Sequence, residues 1–128
     1  MADLTTASQV KEALRRDLRT AMKERRRADT AALRQAISAL DNAEAIAVED
    51  PTTMEASEHF VGATRGVGAS EAERKTLTKN DVITVLTDLI DEHRSHATSF
   101  AQLGRADAAG QSQHAADLLC SYLDALKQ

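Results

Sequence analysis

Aromatic side chains are scarce in this 128-residue chain, which contains two phenylalanines, one tyrosine and no tryptophan. Its hydrophobic core must therefore be built from leucine, isoleucine, valine, methionine and alanine. Such a core suits helices that approach closely and suits a stacked sheet poorly, since strands are enriched in the aromatic residues that are scarce in this chain. The composition favours a helical protein, and the length predicts one domain, residues 1–128, that can bury a core of its own.

Cysteine and proline occur once each, and no apolar run approaches the roughly 20 residues needed to cross a bilayer. The single cysteine, Cys120, has no partner for an internal disulfide. Its place in an apolar helical pattern predicts a small buried side chain rather than a nucleophile. The first ten residues lack the basic segment and apolar run of a secretory signal. We therefore expect a soluble chain in a reducing, cytoplasmic setting with no membrane partner.

Four segments repeat apolar residues at the three- and four-residue spacing of amphipathic helices. The predicted helices are residues 6–27, 29–48, 78–103 and 107–127. Thr6 with Gln9, and Thr78 with Asp81, have the spacing of capping boxes, in which two side chains satisfy exposed backbone amides at a helix start. Asp29 is the predicted N-cap of the second helix, because its carboxylate can accept from the free amides of the first turn.

Short connections predict how these helices pair. Gly104 is expected to end the third helix, since glycine readily takes the left-handed conformation found there, and the short joint after it predicts an antiparallel hairpin. Residues 49–76 hold the only proline and three of the five glycines, which predicts a long flexible loop. The expected fold is all-α, a four-helix arrangement of two antiparallel hairpins with this loop between the second and third helices.

A basic run closes the first predicted helix and is the main candidate for a contact surface. Residues 1–40 hold nine of the sixteen Lys and Arg against five acidic residues, and the next twenty residues carry six acids and neither Lys nor Arg. Arg15, Arg19, Lys23 and Arg26 are predicted to share one narrow sector. A basic face can neutralise phosphates of a nucleic acid, but no aromatic residue is interleaved for base stacking. A solvated face or an acidic protein partner is the alternative. The candidate contact residues are Arg15, Arg19, Lys23, Arg25, Arg26 and Arg27.

The sequence gives less support for a metal-binding site or a catalytic site. His93 and His96 lie three residues apart on the third predicted helix, and His114 on the fourth could face them. Imidazoles can bind zinc or iron, but the Glu-x-x-His pairs of di-iron bundles are absent, so partly buried histidines are favoured. The glycine-rich residues 62–70 lack the Lys-Ser/Thr ending of a phosphate-binding loop. No catalytic, cofactor-binding or metal-binding residue is assigned.

Residues 14–46 resemble the opening of the GatB/YqeY family, in which a basic helix and a charged turn lead into a Leu-Arg-rich helix. The matching pieces are Ala-Met-Lys at residues 21–23, Leu-Arg at 33–34 and Asn-Ala-Glu at 42–44. Residues 77–123 continue the resemblance.

In this second stretch, the family's Arg-x-Ser element with a following phenylalanine is matched in part by Arg94, Ser95 and Phe100. The Gly-Arg-x-Asp turn corresponds to residues 104–107, and the Tyr-Leu ending to residues 122–123.

The resemblance implies an all-helical module related to the carboxy-terminal region of the amidotransferase subunit that converts misacylated Glu-tRNA or Asp-tRNA to the amide. It implies an accessory or binding role in tRNA-dependent amidation or translation, with tRNA or a translation-related protein as partner. A component with carbon–nitrogen ligase activity that uses glutamine as nitrogen donor, and a protein-interaction bundle without nucleic acid, are the alternatives. The family's terminal tail, which contacts tRNA in that relative, has no counterpart before Gln128, and the loop 49–76 exceeds the family's usual joint.

Overall fold

The computed structural model describes residues 4–46 and 76–127, and within them the chain forms four α-helices and no strand. The helices are α1 (Ala7–Lys23), α2 (Arg27–Ile46), α3 (Lys79–Gln102) and α4 (Ala106–Lys127). The predicted all-α class is confirmed. The predicted loop at residues 49–76 lies, apart from its last residue, outside the described residues.

Both predicted capping boxes are present. The hydroxyl of Thr6 accepts from the amide of Gln9 at 3.1 Å, and the side chain of Gln9 accepts from the amide of Thr6 in return. Thr78 and Asp81 make the same reciprocal pair at the start of α3, at 3.0 and 2.9 Å. Each box satisfies amides that have no partner inside the helix, and so it fixes where the helix begins.

The joint between α1 and α2 is three residues long and closes through two backbone hydrogen bonds. The amide of Arg25 donates to the carbonyl of Met22 at 3.2 Å, and the amide of Arg26 donates to the carbonyl of Ala21 at 2.9 Å. Arg25 adopts the left-handed conformation, with φ of 59°. This pair of bonds around a left-handed residue is the Schellman ending of a helix.

The joint between α3 and α4 repeats this geometry. The amide of Gly104 donates to the carbonyl of Ala101 at 3.1 Å, and the amide of Arg105 donates to that of Phe100 at 2.8 Å. Gly104 has φ of 75° and occupies the position that Arg25 holds in the first joint. The glycine ends α3 as predicted. The two joints therefore have the same turn, with glycine at the left-handed position in one and arginine in the other.

The predicted boundary between the first two helices is wrong in two respects. The α1 helix ends at Lys23, four residues early, because the Schellman bonds already turn the chain at Arg25. The α2 helix begins at Arg27, and the carbonyl of Arg26 accepts its first helical bond from the amide of Thr30 at 2.9 Å. Asp29 is therefore not the N-cap but the third residue of α2, where a carboxylate still faces the positive end of the helix dipole.

Aliphatic residues from all four helices form one core. The largest fully buried side chains are Val10, Leu14, Leu33, Leu40, Val82, Leu86, Leu119 and Leu126. The α2 helix contacts both α3 and α4, so it joins the two hairpins. The three- and four-residue spacing from Val82 to Leu103 predicts one apolar stripe along α3, but only its first half is buried. Phe100 is half-buried, and His96 and Leu103 are exposed, Leu103 at 72%. The distal part of the α3–α4 hairpin therefore extends past the core.

Two polar contacts on α1 tie it to other helices. Lys11 is buried, with 9% of its surface exposed. Its ammonium lies 2.8 Å from a carboxylate oxygen of Asp41 and 3.1 Å from one of Glu44, both on α2. The hydroxyl of the buried Tyr122 on α4 donates to the carboxylate of Asp17. Because buried polar groups are costly without partners, these contacts favour one arrangement of the helices.

Replacing Leu86 by alanine tests the shared core. Leu86 is fully buried, so we expect Leu86→Ala to lower the free energy of unfolding by about 2–5 kcal/mol through lost apolar contact and a cavity. Urea unfolding followed by circular dichroism measures this loss. Leu103→Ala is the control, since this exposed leucine on the same hairpin should change stability by less than about 0.5 kcal/mol. Equal losses in the two variants would contradict the packing.

Tyr122 predicts a dependence of stability on high pH. Burial raises the pKa of the Tyr122 phenol above its ordinary value of 10.0, and the hydrogen bond to Asp17 raises it further. The folded state therefore keeps the proton while the unfolded chain releases it, so this contribution is complete below about pH 10 and is lost as the pH rises above that value. The unfolding free energy of the native chain minus that of Tyr122→Phe should shrink across this range. A difference that does not change with pH would refute the explanation.

Candidate functional site

All six predicted contact residues are exposed, and all but Arg15 lie within about one helical turn of the α1–α2 joint, whereas Arg15 lies about two turns before the end of α1. Arg15, Arg19 and Lys23 follow one another at four-residue spacing along α1. Arg25 lies in the joint and Arg27 is the first residue of α2. None of these five side chains forms an ion pair with any residue in the described ranges 4–46 and 76–127. The five side chains are therefore exposed cations that no described carboxylate contacts directly.

Arg26, the sixth predicted residue, has a different role. Its guanidinium lies 3.0 Å from the carboxylate of Glu24 and donates to the carboxylate of Asp29. Arg26 also lies outside α1, so the prediction that it shares a sector with Arg15, Arg19 and Lys23 is wrong. Its charge is largely committed to the joint itself.

Asp29 receives a second partner from the other hairpin. Its side chain is 9% exposed, and its two oxygens contact the guanidinium of Arg26 and the Nε2 atom of His114 on α4. A buried carboxylate needs such partners because burial of an unpaired charge costs several kcal/mol. These contacts hold the α1–α2 joint against α4. The hypothesis that His114 faces the two histidines of α3 around a metal finds no support, since the described residues contain no group of three or more metal-binding side chains.

A cleft of about 550 Å³ opens beside the joint. Its lining residues are Met22, Arg25, Arg27, Thr30, Ala31 and Arg34. Three of these are cations and none is a carboxylate. Met22, which is 48% exposed, and Ala31 give it an apolar floor, and a guanidinium nitrogen of Arg34 lies 3.8 Å from the sulfur of Met22. The arrangement offers positive charge and an apolar surface in the same cleft.

Arg34 is absent from the contact residues predicted from sequence. It is exposed, and like the five cations above it makes no ion pair within the described part of the chain. Arg34 follows Arg27 by seven residues, which is two turns of an α-helix, so the two share one face of α2. The sequence predicted α2 to begin at Asp29, which placed Arg27 on the preceding helix and hid this spacing. We define the basic corner as Arg15, Arg19, Lys23, Arg25, Arg27 and Arg34.

A smaller cleft of about 160 Å³ separates the start of α2 from the α3–α4 hairpin. His93 lines it, together with alanines of α2 and with Gln111 and Ser112 of α4. The Nε2 atom of His93 is buried without a hydrogen-bond partner among the described residues. Burial lowers the pKa of His93, the neighbouring His96 lowers it further, and Glu92 partly opposes both effects. The imidazole is therefore neutral at pH 7. His93 is a half-buried side chain of the bundle and does not offer a positive charge to a ligand.

Cys120 is half-buried on α4, and its sulfur accepts a contact of 3.4 Å from the guanidinium of Arg94. Cys120 lies in neither cleft.

None of the four described helices is long and apolar enough to span a bilayer. No family model, curated protein or solved structure matches this chain. The basic corner and its cleft are therefore the features of the molecule that bear on its function.

Replacing Arg25 by glycine tests the strain in the first joint. A side chain in the left-handed conformation costs about 1–2 kcal/mol, whereas glycine adopts it freely but loses about 0.5–1 kcal/mol more in chain entropy. We expect Arg25→Gly to raise the free energy of unfolding by on the order of 0.5 kcal/mol. Urea unfolding at matched ionic strength measures the change. Arg27→Gly should destabilise α2 instead, and a loss of stability in both variants would contradict the assignment of strain.

Proposed function

We propose that this chain is a helical binding module of the GatB/YqeY type that captures RNA, in tRNA-dependent amidation or translation, through the basic corner. The observation that carries the proposal is the set of six exposed cations along α1, in the α1–α2 joint and on α2, none of which forms an ion pair within the described residues. Phosphate groups are the natural counter-charges for such a surface, because each neutralised phosphate releases condensed counterions. The sequence resemblance is what adds tRNA and translation to the proposal.

Within residues 15–34, each of the three carboxylates has a partner that lies outside the basic corner. Residues 15–34 contain eight Lys and Arg and three acidic residues. Asp17 accepts from Tyr122 and lies beside Arg16, while Glu24 and Asp29 are paired through Arg26. The basic corner thus keeps its charge although the whole chain has a formal net charge of −4. This separation of charges favours a partner that binds at one end of the molecule.

A pair of charge-matched double variants tests the proposal. Lys23→Gln with Arg27→Gln removes two cations of the basic corner, and Lys79→Gln with Lys127→Gln removes two at the opposite end of the bundle. Binding to fluorescently labelled tRNA is measured by anisotropy at several salt concentrations. We expect the native chain to bind with a steep loss of affinity as salt increases, and the corner variant to lower the slope of log K against log salt by about 2.

The distal variant should bind almost as the native chain does, because it leaves the corner intact. Circular dichroism shows whether both variants keep the helix content. Equal slopes in the two variants, binding that does not depend on salt, or no binding of tRNA by the native chain would each contradict the proposal. Binding of an acidic protein without RNA would support the interaction-bundle alternative instead.

A further inference from the structure

The cleft beside the joint has features that capture of a phosphate backbone alone does not require. Its volume of about 550 Å³ lies within the range of small-molecule sites, which runs from about 300 to 1,000 Å³. A flat basic surface is sufficient to neutralise phosphates in a duplex backbone. An open cleft that combines cations with apolar side chains offers a ligand a second kind of contact beside charge.

The charges of the cleft select an anionic ligand. Arg25, Arg27 and Arg34 line it, and the described residues contribute no carboxylate to the lining and no ion-pair partner to any of the three. Guanidinium groups bind phosphate through two parallel hydrogen bonds, which gives direction as well as charge. The cleft can therefore hold a phosphate group at its rim.

The floor of the cleft suits a planar apolar group. Met22 is one of two large apolar side chains that are exposed in the described residues, and the cleft is the place where its exposed surface lies. Arg34 contacts the sulfur of Met22, so a guanidinium plane and a polarisable thioether are adjacent. Unpaired bases stack on arginine planes as well as on aromatic rings. The scarcity of aromatic residues in this chain thus does not exclude base stacking at this cleft.

The backbone of Arg25 supplies an independent observation. The same three-residue turn carries glycine at position 104, where the left-handed conformation is free of strain, and arginine at position 25, where it is not. Strained conformations concentrate at ligand-binding sites because their surroundings hold them there. Arg25 lines the cleft, and so the strained residue and the cations meet at one place.

We infer that this cleft receives one unpaired nucleotide of the bound RNA, with its phosphate at Arg25 and Arg27 and its base against Met22 and Arg34. The inference rests on the proposed capture of RNA and adds a preference for single strands. A duplex presents its backbone to the basic corner but has no free base for the cleft.

Two variants that preserve charge test the cleft separately from the basic corner. Met22→Ala removes the apolar floor, and Arg34→Lys keeps the cation but removes the guanidinium plane. Leu103→Ala is the control for Met22→Ala, because Leu103 is the other large apolar residue that is exposed in the described residues. Arg105→Lys is the control for Arg34→Lys, because Arg105 is an exposed arginine at the other joint. Anisotropy at fixed salt compares a single-stranded RNA of about eight nucleotides with a blunt-ended duplex of the same length.

We expect the native chain to favour the single strand, and each cleft variant to reduce that preference by about 5- to 10-fold, because one stacking contact is lost. Duplex affinity and the salt slope should stay unchanged, and both controls should behave as the native chain. RNA binding without a single-strand preference, or a preference that the cleft variants do not alter, overturns the inference and leaves the proposed function standing. Failure to bind either RNA overturns both.

Discussion

Asp29 buries its carboxylate where the α1–α2 joint meets α4, and this burial determines how the basic corner is built. The carboxylate needs charged or hydrogen-bonding partners because desolvation would otherwise cost several kcal/mol. It takes Arg26 from its own joint and His114 from the other hairpin. The contact fixes the joint in position and engages one cation of a basic run. The neighbouring Arg25 and Arg27 line the cleft and form no ion pair with a described residue.

The two joints of this fold provide a comparison within one molecule. Each ends a helix with the same two backbone hydrogen bonds, and each requires a residue in the left-handed conformation. Gly104 meets that requirement without strain and has no atom within 4 Å of the position where a side chain would begin. Arg25 meets it at a cost in conformational energy. Backbone geometry therefore does not explain the arginine, since glycine serves the same turn elsewhere in the chain. The position of Arg25 in the lining of the cleft is a feature that Gly104 does not share.

The fold could be predicted from sequence because its signals are local. Apolar spacing located four helices, and the capping boxes at Thr6 and Thr78 located two helix starts. The α1–α2 joint could not be predicted in the same way, because Arg and Lys favour helix and no glycine marks the turn. Its contact with α4 is also non-local, because His114 lies 85 residues from Asp29 along the chain. The wrong start of α2 also hid one residue of the site. Arg34 is seen to share a helix face with Arg27 only when α2 begins at Arg27.

The contrast between an acidic chain and a basic corner bears on how a polyanion would be selected. At physiological ionic strength, charges separated by more than about 8 Å are largely screened, so the net charge of −4 acts weakly on a ligand bound at the corner. Affinity then depends on the few cations that lie close to the phosphates of the ligand. A second contact of a different kind becomes correspondingly important, because salt does not screen stacking as it screens charge. Met22 and Arg34 offer that contact within the same cleft, and a ligand that uses both is favoured over one that carries charge alone.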